Sequence, residues 1–197
     1  VNSTTVNIAV TCKYFAATSW CDSGISLNSP DPVDAAKAIG ICDGLTNANW
    51  SDIDGDIIAS EDQAYFHLGH GILSFFGPNP AQEGVKLLAL SSGTARRPLD
   101  PGYVSPGSGF IKGYSAAAFP SGFPPSISNC QSASKAYDGV RLHVTMTVPA
   151  GANAFSVDYK WHIADYPSFT ACGPNTDQAA VVVTPHPANS QANGNII

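Results

Sequence analysis

Charged residues are scarce in this sequence, and their scarcity excludes several classes of protein. Only 12% of the 197 residues are Asp, Glu, Lys or Arg, and the formal net charge is −6. The nine basic residues include a single adjacent pair, Arg96 and Arg97, so there is no basic stripe that would displace counterions from a polyphosphate backbone. Nucleic acid is therefore excluded as a predicted partner.

Long apolar runs and catalytic signatures are also missing. No run approaches the length needed to span a bilayer, and the Gly-x-Ser-x-Gly motif of serine hydrolases is absent. Glu61 and Glu83 are the only glutamates, which leaves few candidates for the paired carboxylates of a glycosidase. The N-terminus carries neither an initiator Met nor a basic segment followed by an apolar one. These features predict a non-catalytic, exported protein without a membrane span, whose signal has been removed.

What the sequence does contain is apolar residues and turn formers. Hydrophobic residues make up 44% of the chain, which is too many for a disordered protein, and 18 Gly and 15 Pro accompany them. A chain of this length is long enough to bury a sizeable core as one domain, or at most as two small ones. The composition favours a secreted, β-rich protein with many turns.

Two segments alternate apolar and polar side chains with the period of two that is typical of a half-buried strand. The apolar positions are Val140, Leu142, Val144, Met146 and Val148 in the first segment, and Phe155, Val157, Tyr159, Trp161 and Ile163 in the second. Further strands are predicted at 6–10, 72–76, 85–90 and 179–183, with a hairpin at 50–60 that turns at Asp54-Gly55. Many short strands joined by Gly and Pro turns predict a mainly all-β fold, an antiparallel two-sheet β-sandwich of jelly-roll type.

One short helix is predicted near the N-terminus. Asp31 is suited to cap it, Pro32 to begin it, and Asp34 to favour its dipole. An apolar stripe runs from Ala35 towards Cys42, and Gly44 is predicted to end the helix.

The five cysteines lack the short paired spacings of a structural zinc site. In an exported protein they are disulfide candidates, and the predicted pairs are Cys12 with Cys21 and Cys42 with Cys130. Spacing does not determine connectivity, so this pairing is one of several. Cys172 is left over.

An acid-aromatic-proline turn follows the second alternating segment and suggests a polar site at a strand end. Asp165, Asn175 and Asp177 lie on this turn and the loop after it, and their oxygen atoms suit a hard cation. Ca²⁺ is therefore the predicted cofactor. The alternative is that Asp165 caps the turn while Asn175 and Asp177 start a strand through local hydrogen bonds.

Two other metal-like patterns favour structural interpretations. His67 and His70 have a spacing that suits metal binding on a helix, but the glycines at 69 and 71 oppose a helix there. The aspartates around Asp54 resemble a calcium loop, but Gln63 stands where an EF-hand needs Glu.

Several motifs occur together and in order along the chain. They are HGIL at 70–73, FGPN at 76–79, LLALSSGTAR at 87–96, DGV at 138–140, DYP at 165–167, NTD at 175–177 and PANSQANGNI at 187–196. This set resembles the bacterial choice-of-anchor L domain, a family of secreted or surface-anchored proteins. The resemblance implies a sandwich domain at 31–197, preceded by an N-terminal strand or arm at 1–30.

The sequence departs from that family in two respects. Asp165 and Ser168 stand where the family usually has acids, the first of them Glu. The family's domain also usually continues past the Asn-Gly-Asn-Ile segment, so the resemblance predicts a domain that is incomplete at its C-terminus.

Together these features predict a structural or adhesive β-sandwich of the cell surface or of an extracellular filament. It is expected to assemble by strand exchange, with Val6, Ile8 and Val10 on the exchanged strand, or with a complementary fragment. The predicted partners are other copies of the chain or a C-terminal fragment that completes the sheet. Two alternatives are a calcium-dependent module that binds carbohydrate or a surface, and a secreted hydrolase.

Overall fold

The computed structural model describes residues 6–8, 20–53, 55–58, 65–105, 107–113, 136–152, 155, 157–163, 177–188, 190 and 194–196. The elements in these ranges are β1 Val6–Ile8, α1 Pro32–Ala38, β2 Leu45–Ser51, β3 His70–Leu73, β4 Phe75–Phe76, β5 Asn79–Pro80, β6 Leu87–Leu90, β7 Arg141–Met146 and β8 Tyr159–Trp161. A 3-10 turn at Phe66–Gly69 leads into β3. None of the helices in these ranges is long and apolar enough to cross a membrane.

The described strands form antiparallel pairs, which are β1–β8, β2–β7, β3–β6 and β4–β5. Strands and one short helix make up the regular structure of these ranges, so the predicted all-β class with one helix is confirmed.

The helix begins as its sequence predicts and ends earlier. Asp31 caps it, with its Oδ1 accepting a hydrogen bond of 2.8 Å from the Val33 N–H, and Pro32 is its first residue. The helix stops at Ala38, because Gly40 adopts a φ of +82° that an α-helix does not allow. The predicted end at Gly44 was wrong, and Ile39 is exposed instead of continuing the apolar stripe.

Strand β2 forms the longest pairing of the described chain, with β7. Ser51 lies opposite Arg141 and Trp50 opposite Leu142. The predicted hairpin at 50–60 is present only as a short return: Ser51 bridges to Ile57, and the Ile58 N–H donates to the Trp50 carbonyl. Asp54 of the predicted turn lies outside the described residues.

Strands β3 and β6 pair as neighbours, which confirms that the runs predicted at 72–76 and 85–90 supply paired strands, but the first run is divided between β3 and β4 and the second begins at Leu87. The tight β4–β5 hairpin lies between them. The prediction at 179–183 was wrong, because this segment contributes only a single bridge, between Val182 and Asn195.

The core lies between α1 and the β2–β7 and β3–β6 pairs. It consists of Ile25, Ala35, Ala38, Trp50, Ile58, Phe66 and Ile72, with Leu88, Val140 and Leu142 packed against it. The predicted apolar face of β7 packs against the core at one end only. Val140 and Leu142 contact the core, whereas Met146 and Val148, further along the same face, are 41% and 66% exposed.

One disulfide lies in the described residues, and it corrects the predicted connectivity. Cys21 is bonded to Cys42, with their Cα atoms 5.7 Å apart. The pairs Cys12–Cys21 and Cys42–Cys130 were therefore wrong, because the turn after α1 brings Cys42 back to the loop that starts at Cys21. Cys12, Cys130 and Cys172 lie outside the described residues.

The predicted exchanged strand pairs within its own chain. Val6 lies opposite Trp161 and Ile8 opposite Tyr159 in the β1–β8 ladder. Val10 lies outside the described residues.

Candidate functional site

His70, the first residue of β3, is enclosed in the core. It is 1% exposed, and its ring stacks on Trp50 with the centroids 3.8 Å apart and the planes at 13°. Burial lowers its pKa to about 3, and the charge of Arg96 acts in the same direction. The imidazole is therefore neutral at physiological pH and acts as a packing residue, which agrees with the structural interpretation of this histidine.

Arg96 closes one edge of β3. Its Nη1 donates to the carbonyls of His70 and Ala95, and its Nη2 donates to the His67 carbonyl at 2.8 Å. The Asn28 N–H donates to the Ile72 carbonyl on the same edge, at 2.9 Å. These groups occupy the positions that a further strand would take. Burial lowers the pKa of Arg96, and the Asp100 carboxylate opposes that shift.

Lys112 holds the loop that follows β6. Its Nζ donates to the carbonyls of Ser91 and Ser92, both at 2.7 Å, and of Gly93 at 3.2 Å. Its main-chain N–H donates to Asp138 Oδ2 at 3.0 Å. Burial lowers the pKa of the ammonium to about 8, although the carboxylates of Asp138 and Asp177 oppose the shift. With three carbonyl acceptors around it, this amine is suited to crosslinking the main chain and poorly suited to nucleophilic attack.

Replacing Lys112 with Met should therefore destabilise the fold while preserving most of the side chain's apolar contacts. The loss of an ammonium that bonds three carbonyls, two of them at short range, is expected to cost about 1–3 kcal/mol. The free energy of unfolding in urea gives this value. Lys86→Met is the matched control, since Lys86 is only half-buried, and equal stability of the two variants would contradict the proposed role of Lys112.

Asp22 binds the main chain just before the start of β6. Its Oδ2 accepts hydrogen bonds from the Val85 and Lys86 N–H groups at 2.7 and 2.8 Å. Gly84 makes this approach feasible, because a Cβ at that position would lie 2.4 Å from Asp22 Oδ2. Lys112 binds the carbonyls just after the strand. Side chains therefore bind main-chain groups immediately before and immediately after β6.

The outer edge of β7 is longer, and in the described ranges no strand lies along it. The Thr147 N–H donates to the Gly44 carbonyl at 2.8 Å, and the Thr145 carbonyl accepts from Thr46 Oγ1 at 2.9 Å. Main-chain groups alternate in direction along a strand, so those of Leu142, Val144 and Met146 point away from β2. An edge of this kind can bind a further strand through main-chain hydrogen bonds.

The structure places one of the three predicted calcium ligands. Asp177 accepts a hydrogen bond of 3.2 Å from Ser92 Oγ, whereas Asp165 and Asn175 lie outside the described residues. In the part of the chain that is described, no group of three His, Cys, Asp or Glu side chains is arranged to hold a metal ion. The calcium site stays a prediction.

Sequence reasoning missed the roles of Asp22, Arg96 and Lys112. A signal exists for one of them, because Lys112 is the single charged residue between positions 101 and 134, a segment rich in Gly, Ser and Pro. A lone cation in such a segment is a candidate for bonding to main-chain carbonyls, since few other partners are close in sequence.

Comparisons of the chain with models of protein families, with curated proteins and with solved structures found no match.

Proposed function

We propose that this protein is a non-catalytic, exported β-sandwich of jelly-roll type. It has a structural or adhesive role at a cell surface or in an extracellular filament. It assembles with other copies of itself through main-chain hydrogen bonds at open strand edges. The observation that carries the proposal is the outer edge of β7, which presents apolar side chains and has no neighbouring strand in the described residues.

The size of the sheets supports this proposal. Each sheet in the described ranges has two strands. A two-stranded ribbon is marginal by itself and is stabilised by packing against a helix, as β2–β7 and β3–β6 pack against α1, or by the addition of further strands. Strands supplied by a partner would extend these ribbons and bury apolar side chains that lie on the surface.

The exposed apolar side chains support it as well. Met146 and Val148 are alternate residues on one face of the chain at the C-terminal end of β7, and both are exposed. Exposed apolar side chains that lie beside one another are a mark of protein contact surfaces, whereas isolated ones are common on any protein.

The state of the buried ionisable groups supports a scaffold role. Lys112 and Arg96 each donate to three main-chain carbonyls, and Asp22 accepts from two main-chain N–H groups. Groups bound in this way stabilise loops and strand edges. Catalytic acids, bases and nucleophiles instead need access to a substrate.

Strand β1 is compatible with exchange. It contacts the rest of the described chain through its ladder with β8, in which Val6 lies opposite Trp161. The same register is available to β1 of another copy, which is the usual geometry of a domain swap.

The test of this function is the native mass. We expect light scattering coupled to size exclusion to show multiples of the 20.4 kDa chain over a concentration series. The series is run with and without reductant, so that assembly through cysteines is separated from assembly through strands. A monodisperse monomer at all concentrations would overturn the proposed function.

A further inference from the structure

We infer that β7 is the assembling edge and that it pairs with β7 of a second copy, antiparallel, across a two-fold axis at Val144. The product is a continuous sheet in the order β2–β7–β7–β2. This inference rests on the proposed assembly function and names the surface and the partner through which assembly occurs.

The main-chain geometry of β7 suits such a pairing. The outward main-chain groups belong to Leu142, Val144 and Met146, as the hydrogen bonds of Thr145 and Thr147 towards β2 require. A two-fold axis at Val144 places each of these residues opposite an outward residue of the second copy. The pairing would form about six main-chain hydrogen bonds, two for each hydrogen-bonded pair.

The side chains on the apolar face are palindromic in size about Val144. The axis places Val140 opposite Val148 of the second copy and Leu142 opposite Met146 of the second copy. Leu and Met have similar volumes, so each cross-strand pair matches a residue with one of its own size.

The exposure along the strand is complementary in the same register. Val140 and Leu142 pack against the core at one end of β7, whereas Met146 and Val148 are exposed at the other end. Antiparallel pairing places the exposed end of one copy beside the core-packed end of the other. Met146 and Val148, which are exposed in the single chain, then gain apolar neighbours from the second copy, which favours the dimer.

The polar face introduces no repulsion. Arg141 would lie opposite Thr147 of the second copy, and His143 opposite Thr145 of the second copy. Like charges placed directly opposite one another destabilise a sheet, and this register has none. Arg141 Nε is also bound to Ser51 Oγ of its own chain at 3.0 Å, which holds it beside β2.

The other edges compared above are less suited to a partner strand. Arg96 and Asn28 occupy the outer edge of β3, and Asp22 and Lys112 bound that of β6. The return at Ile58 occupies the edge of β2 beside Trp50. Of the strand edges that are open in the described ranges, the outer edge of β7 is the longest.

The inference is tested with Val144→Pro and Met146→Lys, compared with Asn47→Lys. Proline removes the outward N–H at the axis, and its ring obstructs an added strand while the ladder with β2 keeps its inward bonds. Lys at position 146 places a charge beside an apolar residue of the second copy. Asn47 is exposed on β2, away from the proposed interface, so its replacement adds the same charge as a control.

We expect sedimentation equilibrium to show that Val144→Pro and Met146→Lys each weaken the dimer at least about tenfold, whereas Asn47→Lys leaves its dissociation constant unchanged. Circular dichroism establishes that the variants are folded. If Val144→Pro does not fold, Met146→Lys decides by itself, because Met146 is partly exposed in the single chain.

A photo-cross-link identifies the contact directly. Thr145, which is exposed, is replaced by p-benzoylphenylalanine, and cross-linked peptides are mapped by mass spectrometry. Cross-links between chains that join position 145 to residues 140–148 of the second copy support the inference. Cross-links between chains that join it to other residues of the second copy overturn it. An oligomer that survives both β7 variants overturns the β7 pairing and leaves the assembly function in place, whereas a monomeric wild-type protein overturns both.

Discussion

Acidification from pH 7 to pH 4 is expected to remove about 3 kcal/mol of stability through His70 alone. The pKa of this histidine is lowered from 6.5 to about 3 in the folded protein, chiefly by burial. Between these two values the unfolded chain binds a proton that the folded chain excludes. The unfolded state is therefore favoured progressively as the pH falls below 6.5, and the contribution levels off near pH 3.

His70→Phe isolates this effect. Phenylalanine retains an aromatic ring to stack on Trp50 and does not titrate, so the variant should lose stability less steeply over the same pH range. Urea unfolding at pH 7, 6, 5 and 4 provides the comparison, and carboxylates contribute equally to both proteins. His143→Gln, at an exposed position of β7, should keep the slope of the wild type. A His70→Phe variant with that same slope would show that another group carries the acid sensitivity.

Removal of the Cys21–Cys42 disulfide is expected to cost about 3 kcal/mol of stability. The bond joins residues that are 21 positions apart, and opening that loop increases the entropy of the unfolded chain. The same loop carries Asp22, whose carboxylate binds the Val85 and Lys86 N–H groups ahead of β6. Loosening the loop should therefore weaken the β3–β6 pair as well.

The double variant Cys21→Ser, Cys42→Ser tests this value in urea unfolding, with Asp43→Ser as an exposed neighbouring control. Peptide mapping without reduction tests the connectivity. Trypsin releases Cys21 in peptide 14–37 and Cys42 in peptide 38–86, and the structure requires that these two be joined. Recovery of peptide 1–13 joined to 14–37 would instead restore the pairing of Cys12 with Cys21.

Local features of the fold were predictable because their physical causes lie within a few residues. Asp31 and Pro32 start the helix through a side-chain cap and a pre-set φ, and both are readable from neighbouring positions. The alternation around Val144 predicts a strand for the same reason, since a pleated chain turns successive side chains to opposite faces. Gly40 and Gly44 both adopt a left-handed conformation, and the end of the helix was missed because Gly40 comes first along the chain and already stops it.

Pairings between distant segments were not predictable from those patterns. The partner of β2 lies about ninety residues further along the chain, and the alternation of either strand is compatible with many neighbours. The disulfide follows the path of the turn after α1, which the spacing of cysteines does not encode. The polar groups around β3 bind main-chain carbonyls, and carbonyls carry no signature in a sequence.

The amino-acid sequence alone determined the β-rich class, the capped start of α1 and the alternating strand β7, because composition and short-range periodicity suffice for these. Only the tertiary structure decided that Arg96 closes the edge of β3, that Cys21 bonds Cys42, and that one end of β7 packs against the core while the other is exposed. Each of these depends on which distant segment lies alongside. That choice is made by burial and hydrogen bonding of the whole chain at once.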